Sequence, residues 1–256
     1  VWFKRDLRFT DHEPLYVAQK QSLPVLLIYC FEPSVMHYDD SNVRHWRFIY
    51  QSLQEMQEKL LDFNSQVYVF HTEVFTLLQK LAEHYHIKNI FSHQEIGNKL
   101  TYDRDIVIHQ FCLNNNIEWK EYQHNGVVRK LKSRKVWDQL WKQKMEETPK
   151  LVDEENWNFL KLNDRMYSLL KGPDLNVEIT SGNKAFQPGG ESNAWKYLQS
   201  FLNDRYLNYS KHISKPLLSR KGCSRMSPYL SYGNISMRMV YQFTMQHYPG
   251  AANKRA

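Results

Sequence analysis

Through the first half of the chain, short apolar runs alternate with stretches in which apolar positions recur every three or four residues. Pro24-Val25-Leu26-Leu27-Ile28-Tyr29-Cys30-Phe31 is continuous and rich in β-favouring side chains, the pattern of a strand covered on both faces. Val1-Trp2-Phe3 reads as the tail of another strand, and Gln66–His71, Asn89–Ser92 and Ile117–Lys120 are shorter candidates. Between these runs, Ile49, Leu53, Met56 and Leu60 fall at helical spacing, as do Val74, Leu77, Leu78 and Leu81. Strand–helix alternation of this kind predicts a parallel sheet with helices on its faces. Leu26, Ile28, Val67, Val69 and Ile90 are then expected in its core.

The regularity fades from residue 124 to 187. Gly126–Lys135 is a basic block that reads as a solvated face, with a nucleic-acid contact as the lesser alternative, and Trp137, Leu140 and Trp141 dock the segment onto a neighbouring core. Residues 149–188 carry Pro149, Gly172-Pro173, Gly182 and Pro188, which suit a long surface connection. Helical periodicity returns after Gly189-Gly190-Glu191, where Trp195, Leu198, Leu202 and Tyr206 form one apolar stripe. Further helices are expected from Pro228 or Tyr229 and from Ser236 through Gln246.

Composition narrows the class. Hydrophobic residues make up 42% of 256, enough for a sizeable core. Lys and Arg number 34 against 27 Asp and Glu, and the resulting +7 favours polyanionic partners such as nucleic acid. Cys30, Cys112 and Cys223 are scattered and odd in number, against both a disulfide scaffold and a zinc site. No apolar run approaches membrane-spanning length and no signal peptide precedes the first strand, so a cytoplasmic location is expected, or a nuclear one in a eukaryote. The first residue is Val and the chain opens directly in a strand, as expected of a fragment.

Self-contained catalytic signatures such as HExxH, GxSxG or a Walker loop do not occur, so no catalytic residue and no metal ligand is assigned. Lys4-Arg5-Asp6-Leu7-Arg8 lies just past the first strand end, where such sheets bind ligands. Asp6, Arg8 and Asp11 read there as loop ion pairs and a cap to the next helix. His93–Gly97 occupies the corresponding position after another strand, and Lys99–Asp105 reads as solvated helix surface. Most informative is Lys221-Gly222-Cys223-Ser224-Arg225-Met226-Ser227-Pro228, a hydroxyl-bearing turn running into a helix start with Ser227 as cap. Such a turn suits an anion, usually phosphate, although by physics alone a bare capping role is the more ordinary reading.

Gly222 to Ser236 resembles the flavin-binding segment of the DNA photolyase and cryptochrome family. Trp2-Phe3-Lys4-Arg5-Asp6-Leu7-Arg8-x-x-Asp11 is similar to the family's signature after its first strand, and Gly189-Gly190-Glu191-x-x-Ala194 to the entry into its flavin domain. The resemblance implies an α/β fold: a Rossmann-like parallel five-stranded sheet with flanking helices over 1–123, an interdomain linker over 124–187, and the beginning of an all-α FAD-binding domain over 188–256. It further implies that Tyr209, Cys223, Ser224, Arg225, Met226 and Ser227 hold FAD, with Ser224 and Ser227 donating hydroxyls and Arg225 and Met226 backbone N–H groups. Cys223 stands where the family usually has threonine, and Ile213 where it often has arginine. A second antenna chromophore, of folate or deazaflavin type, is compatible with the resemblance, with no residue assigned to it.

The function implied is blue-light-driven repair of pyrimidine dimers in DNA, by electron transfer from reduced flavin to a lesion flipped from the helix. The alternative is a cryptochrome-type photoreceptor without repair activity. Damaged DNA is the expected partner of a monomer that does not engage a membrane. The rest of the family's flavin domain is expected to follow Ala256, leaving this fragment inactive alone.

Overall fold

A computed structural model describes residues 1–153 and 157–247. The first half runs β1 (Trp2–Phe3), α1 (Glu13–Gln19), β2 (Ile28–Cys30), α2 (Pro33–Met36), α3 (Val43–Leu60), β3 (Tyr68–Phe70), α4 (Val74–His84), β4 (Asn89–His93), α5 (Lys99–Asn114) and β5 (Glu118–Tyr122). The second half is helical: α6 (Trp137–Glu146), α7 (Asp164–Leu170), α8 (Val177–Thr180), α9 (Glu191–Asn203), α10 (Tyr209–His212), α11 (Pro216–Gly222), α12 (Ser227–Ser231) and α13 (Met237–His247). Among the described residues no helix is long and apolar enough to cross a membrane.

All strand pairings are parallel, as the alternation predicts, but the five strands form two ladders instead of one continuous sheet. β1, β2 and β3 pair in that order, and β4 pairs with β5. β1 packs beside β4 without a ladder between them. Lys4, the residue that would lengthen β1, gives its N–H to the Asp6 carboxylate at 2.7 Å instead. The strand therefore ends after two residues and turns into the loop that follows.

Side-chain alternation sorts the sheet into two apolar faces. Trp2, Ile28, Cys30, Tyr68 and Phe70 point one way, against Leu77, Leu78 and Leu81 of α4 and Ile108 of α5. Phe3, Tyr29 and Phe91 point the other way, against Leu15 of α1 and Ile49, Leu53 and Met56 of α3. Ile28, Val67 and Ile90 are buried as expected; Leu26 and Val69 are only half-buried. A third apolar group ties the halves together: Phe48 of α3 packs with Ala194, Leu198 and Leu202 of α9 and with Met226, Tyr229 and Ile235.

Two stretches read as solvated lie against the core. Leu162, Leu170 and Ile179 of the expected surface connection are buried, and Val25 bridges to Phe159. Thr101 and Asp105 of α5 are buried too, while Lys99 and Asp103 remain an exposed pair. Charge alone did not reveal that Asp105 faces inward to meet Lys4 at 2.7 Å.

Candidate functional site

The loop after β1 and the segment Tyr232–Arg238 are clasped together. Leu7 donates its N–H to Tyr232 O at 3.1 Å, and Arg8 Nη1 donates to Gly233 O at 2.9 Å. Asn234 Nδ2 returns a bond to Leu7 O at 3.0 Å. Asp11 receives the Ser236 hydroxyl at 2.6 Å and Arg238 Nη1 at 3.0 Å. Gly233 has φ +66, and a Cβ there would lie 2.2 Å from Arg5 O, so the approach requires glycine. Asp11 is engaged in this clasp and does not cap α1. His12 does so, accepting the Leu15 N–H on Nδ1 at 3.2 Å.

Behind the clasp sits a fully buried hub. Asp6 Oδ2 lies 2.8 Å from His12 Nε2 and 2.6 Å from His93 Nδ1, and His93 in turn packs edge-on against His124. These three ligand-type atoms lie within 4.8 Å of one another. Because His12 Nδ1 accepts from Leu15, its ring proton sits on Nε2 and points at Asp6; the hub is joined by hydrogen bonds. Burial alone would raise the Asp6 carboxyl, but His12 and His93 outweigh it and hold the group well below the usual carboxylate range. Burial pushes His93 down to about 3 and lowers His12 and His124, so the imidazoles stay neutral at pH 7, with His12 and His93 donating to Asp6.

The turn read as the flavin-binding stretch follows α11. Arg205 organises it, donating to Cys223 O and, at 3.3 Å, to Ser224 O. Gln187 and Arg225 exchange two bonds: Gln187 Nε2 to Arg225 O at 3.0 Å and Arg225 Nε to Gln187 Oε1 at 2.9 Å. Arg225 takes a left-handed φ of +63, which makes the chain turn sharply here. Met226 is buried in the third apolar group. Ser227 is the first helical residue and makes no capping bond; Met226 occupies the cap position. Among the described residues the N–H groups of Ser224, Arg225 and Ser227 and the Ser227 hydroxyl find no partner. Unpaired N–H groups beside Arg205 are donors of the kind a diphosphate takes.

Tyr209 lies on α10 and reaches this region only indirectly. Its ring packs edge-on against Phe201 at 5.9 Å, and the Arg205 guanidinium lies 5.7 Å from the same Phe201 ring. Cys223 to Ser227 are thus brought together on one turn, with Tyr209 on the flank. Arg205 and Gln187 were missed by sequence reading. Their one signal was a polar residue just outside a helix, which charge patterning alone does not distinguish from surface.

A cavity of about 290 Å³ opens where β1, β2 and β4 end, walled by Trp46 and Tyr232 and by Arg5, Glu32, Glu95 and Arg104. Arg104 holds its charge partners tightly: it binds Glu32 and Glu95, with Asp105 at 2.8 Å, and lies 4.8 Å over the Trp2 ring. Arg5 forms no ion pair among the described residues and lines this cavity together with Tyr29 and Tyr232. The pattern is a polar floor with aromatic walls.

Comparison with known proteins gives consistent matches. A family model described as DNA photolyase matches residues 1–145. Cryptochrome DASH of Synechocystis sp. is 26% identical over 267 residues, spanning 94% of this chain and 53% of the relative. The crystal structure of the Synechocystis sp. PCC6803 cryptochrome superposes with a TM-score of 0.73 at 21% identity, covering 99% of this chain and 56% of that one. An archaeal photolyase from Sulfolobus tokodaii, solved with two FAD molecules, gives 0.70 at 19% identity, covering 96% and 56%. The chain spans about half the length of the relatives it matches.

Proposed function

The chain belongs to the DNA photolyase family, and from that premise we propose that the protein containing it carries out blue-light-driven, FAD-dependent repair of pyrimidine dimers in DNA. Cys223, Ser224, Arg225, Met226 and Ser227 hold the diphosphate side of FAD, and Tyr209 borders it. The observation that carries this is the Cys223–Ser227 turn, whose free N–H groups stand beside Arg205. When bound, FAD supplies light-driven one-electron chemistry. The chain's own residues bind and orient it: Arg205 and Gln187 fix the backbone of the turn, and the clasp at Gly233 fixes that backbone against the α/β half. On this reading the chain divides at about 123 and 187 into an α/β domain, a linker and the start of the flavin domain. The cavity beneath Trp46 and Tyr232 takes the second antenna chromophore. At about 290 Å³ it lies at the small end of ligand pockets, sized for one ring system more than for a dinucleotide.

A second reading, a cryptochrome-type photoreceptor without repair activity, is favoured by the names of several relatives. The two are separated by incubating dimer-containing oligonucleotide with the reduced, flavin-loaded full-length protein, in light and in dark. Loss of dimers in light only supports repair. Flavin photoreduction with intact cyclobutane and (6-4) lesions transfers the reading to the photoreceptor.

A further inference from the structure

Between residues 122 and 137 the chain carries Arg129, Lys130, Lys132, Arg134 and Lys135 and no acidic residue. This segment is pinned at both ends. At one end the Arg129 guanidinium donates to Glu95 O and pairs with Glu121 at 3.1 Å. At the other, Trp137 Nε1 donates to Gly126 O at 3.2 Å, and the Trp137 ring leans on Trp141, which packs edge-on against Tyr241 of α13. Lys130 turns the chain through a φ of +58, and Ser133 Oγ accepts the Lys135 N–H at 3.3 Å.

Held this way, Lys130, Lys132, Arg134 and Lys135 all point into solvent, and none has an ion-pair partner among the described residues. Four unpaired cations in six residues, on a segment fixed to the core, form a concentrated positive field facing outward. We propose that residues 130–135 are a nucleic-acid backbone contact, separate from the Cys223–Ser227 turn. Phosphates spaced along a strand match cations that alternate along an irregular segment. An anionic membrane is the poorer fit. Surface-bound segments need a broad apolar face, whereas here Val127, Val136 and Trp137 are the exposed apolar side chains beside the cations and the outer residues of α6 beyond Trp137 include Gln139, Lys142, Gln143 and Glu146.

The inference deepens the DNA part of the proposed function, and its test is independent of flavin photochemistry. Full-length protein is titrated in the dark against an undamaged fluorescein-labelled 20-mer at several salt concentrations, following anisotropy. The quadruple variant Lys130→Gln, Lys132→Gln, Arg134→Gln, Lys135→Gln is compared with a charge-matched control, Lys80→Gln, Lys88→Gln, Lys161→Gln, Lys184→Gln. Four lost phosphate contacts should reduce the slope of log K against log salt by about 3, with at least a tenfold loss of affinity near 0.1 M salt (roughly, from counterion release). The control should keep the wild-type slope. An unchanged slope in the quadruple variant, an equal loss in the control, or tighter binding to phosphatidylserine vesicles than to the oligonucleotide would overturn the proposal. All the mutated side chains are exposed, so thermal unfolding of both variants should match the wild type.

Discussion

Asp11 and Arg238, 227 positions apart in sequence, meet at 3.0 Å in a buried ion pair. The same carboxylate takes the Ser236 hydroxyl and the Lys150 N–H at 2.8 Å, so two distant segments, one at 236–238 and one at 150, end on one side chain. Asp11 itself has a left-handed φ of +53, a conformation that aspartate and asparagine tolerate better than most residues.

Asp11→Asn preserves that backbone and removes the charge. It should destabilise the protein by about 3 kcal/mol, because it strips a buried arginine of one partner while Glu147 remains at 3.2 Å. Urea unfolding measures this directly. In a cycle with Arg238→Leu, the double variant should lose less than the two single losses added; simple additivity would mean the pair contributes no coupling.

Gly233 is held by steric constraint. Gly233→Ala introduces a Cβ 2.2 Å from Arg5 O and 2.5 Å from Asp6 Cα at a φ of +66. A loss of at least about 2 kcal/mol is expected, from left-handed strain together with a clash against backbone that cannot swing away. A melting temperature within a degree of wild type would refute the clasp geometry.

Stability should fall on mild acidification. His93 sits near 3 in the folded protein and near its ordinary 6.5 when unfolded, so between those values the unfolded chain binds the extra proton. Its contribution is fully present above pH 6.5 and is lost as pH falls toward 3, and the lowered His12 and His124 act in the same direction. From His93 alone the loss between pH 7.5 and 5 is about 2 kcal/mol. His93→Asn, which still offers Asp6 an N–H donor, should flatten this dependence in urea unfolding series; an unaltered pH profile would assign the effect elsewhere.

The proposed flavin contact at Cys223–Ser227 is tested in the full-length protein. Ser224→Ala with Ser227→Ala should weaken FAD retention by about 1–3 kcal/mol, the scale of hydrogen bonds to a charged group. Cys223→Thr should strengthen it by up to about 1 kcal/mol, since a hydroxyl donates better than a thiol. Fluorescence titration of released flavin reads both. Unchanged affinity in the double variant would mean that the turn does not face the phosphates.

Periodicity along the sequence was sufficient for the alternation of strands and helices, for parallel pairing, and for the part of the helical stripe at Trp195, Leu198 and Leu202, which packs in the group around Phe48, whereas α9 ends at Asn203 and Tyr206 is exposed beyond it. These features depend on nearest neighbours: a period of two or of 3.6 sets which side of a local element is apolar. The position of Asp6, Arg8 and Asp11 in a loop likewise marked them as structural, although Arg8 binds the carbonyls of Thr10, Asp11 and Gly233 in place of an ion-pair partner among the described residues. What remained hidden depends on partners far along the chain. Lys4 reads as a loop cation, yet its ammonium is buried on Asp105 at 2.7 Å. β1 stops after Phe3 because Asp6 captures the Lys4 N–H, which divides one expected sheet into two ladders. Arg205 becomes the organiser of the Cys223–Ser227 turn only when α9 and α11 bring it to Cys223. The reason is physical: local pattern fixes which face of an element is buried, but the pairing of a polar side chain is decided by which polar groups folding leaves without water.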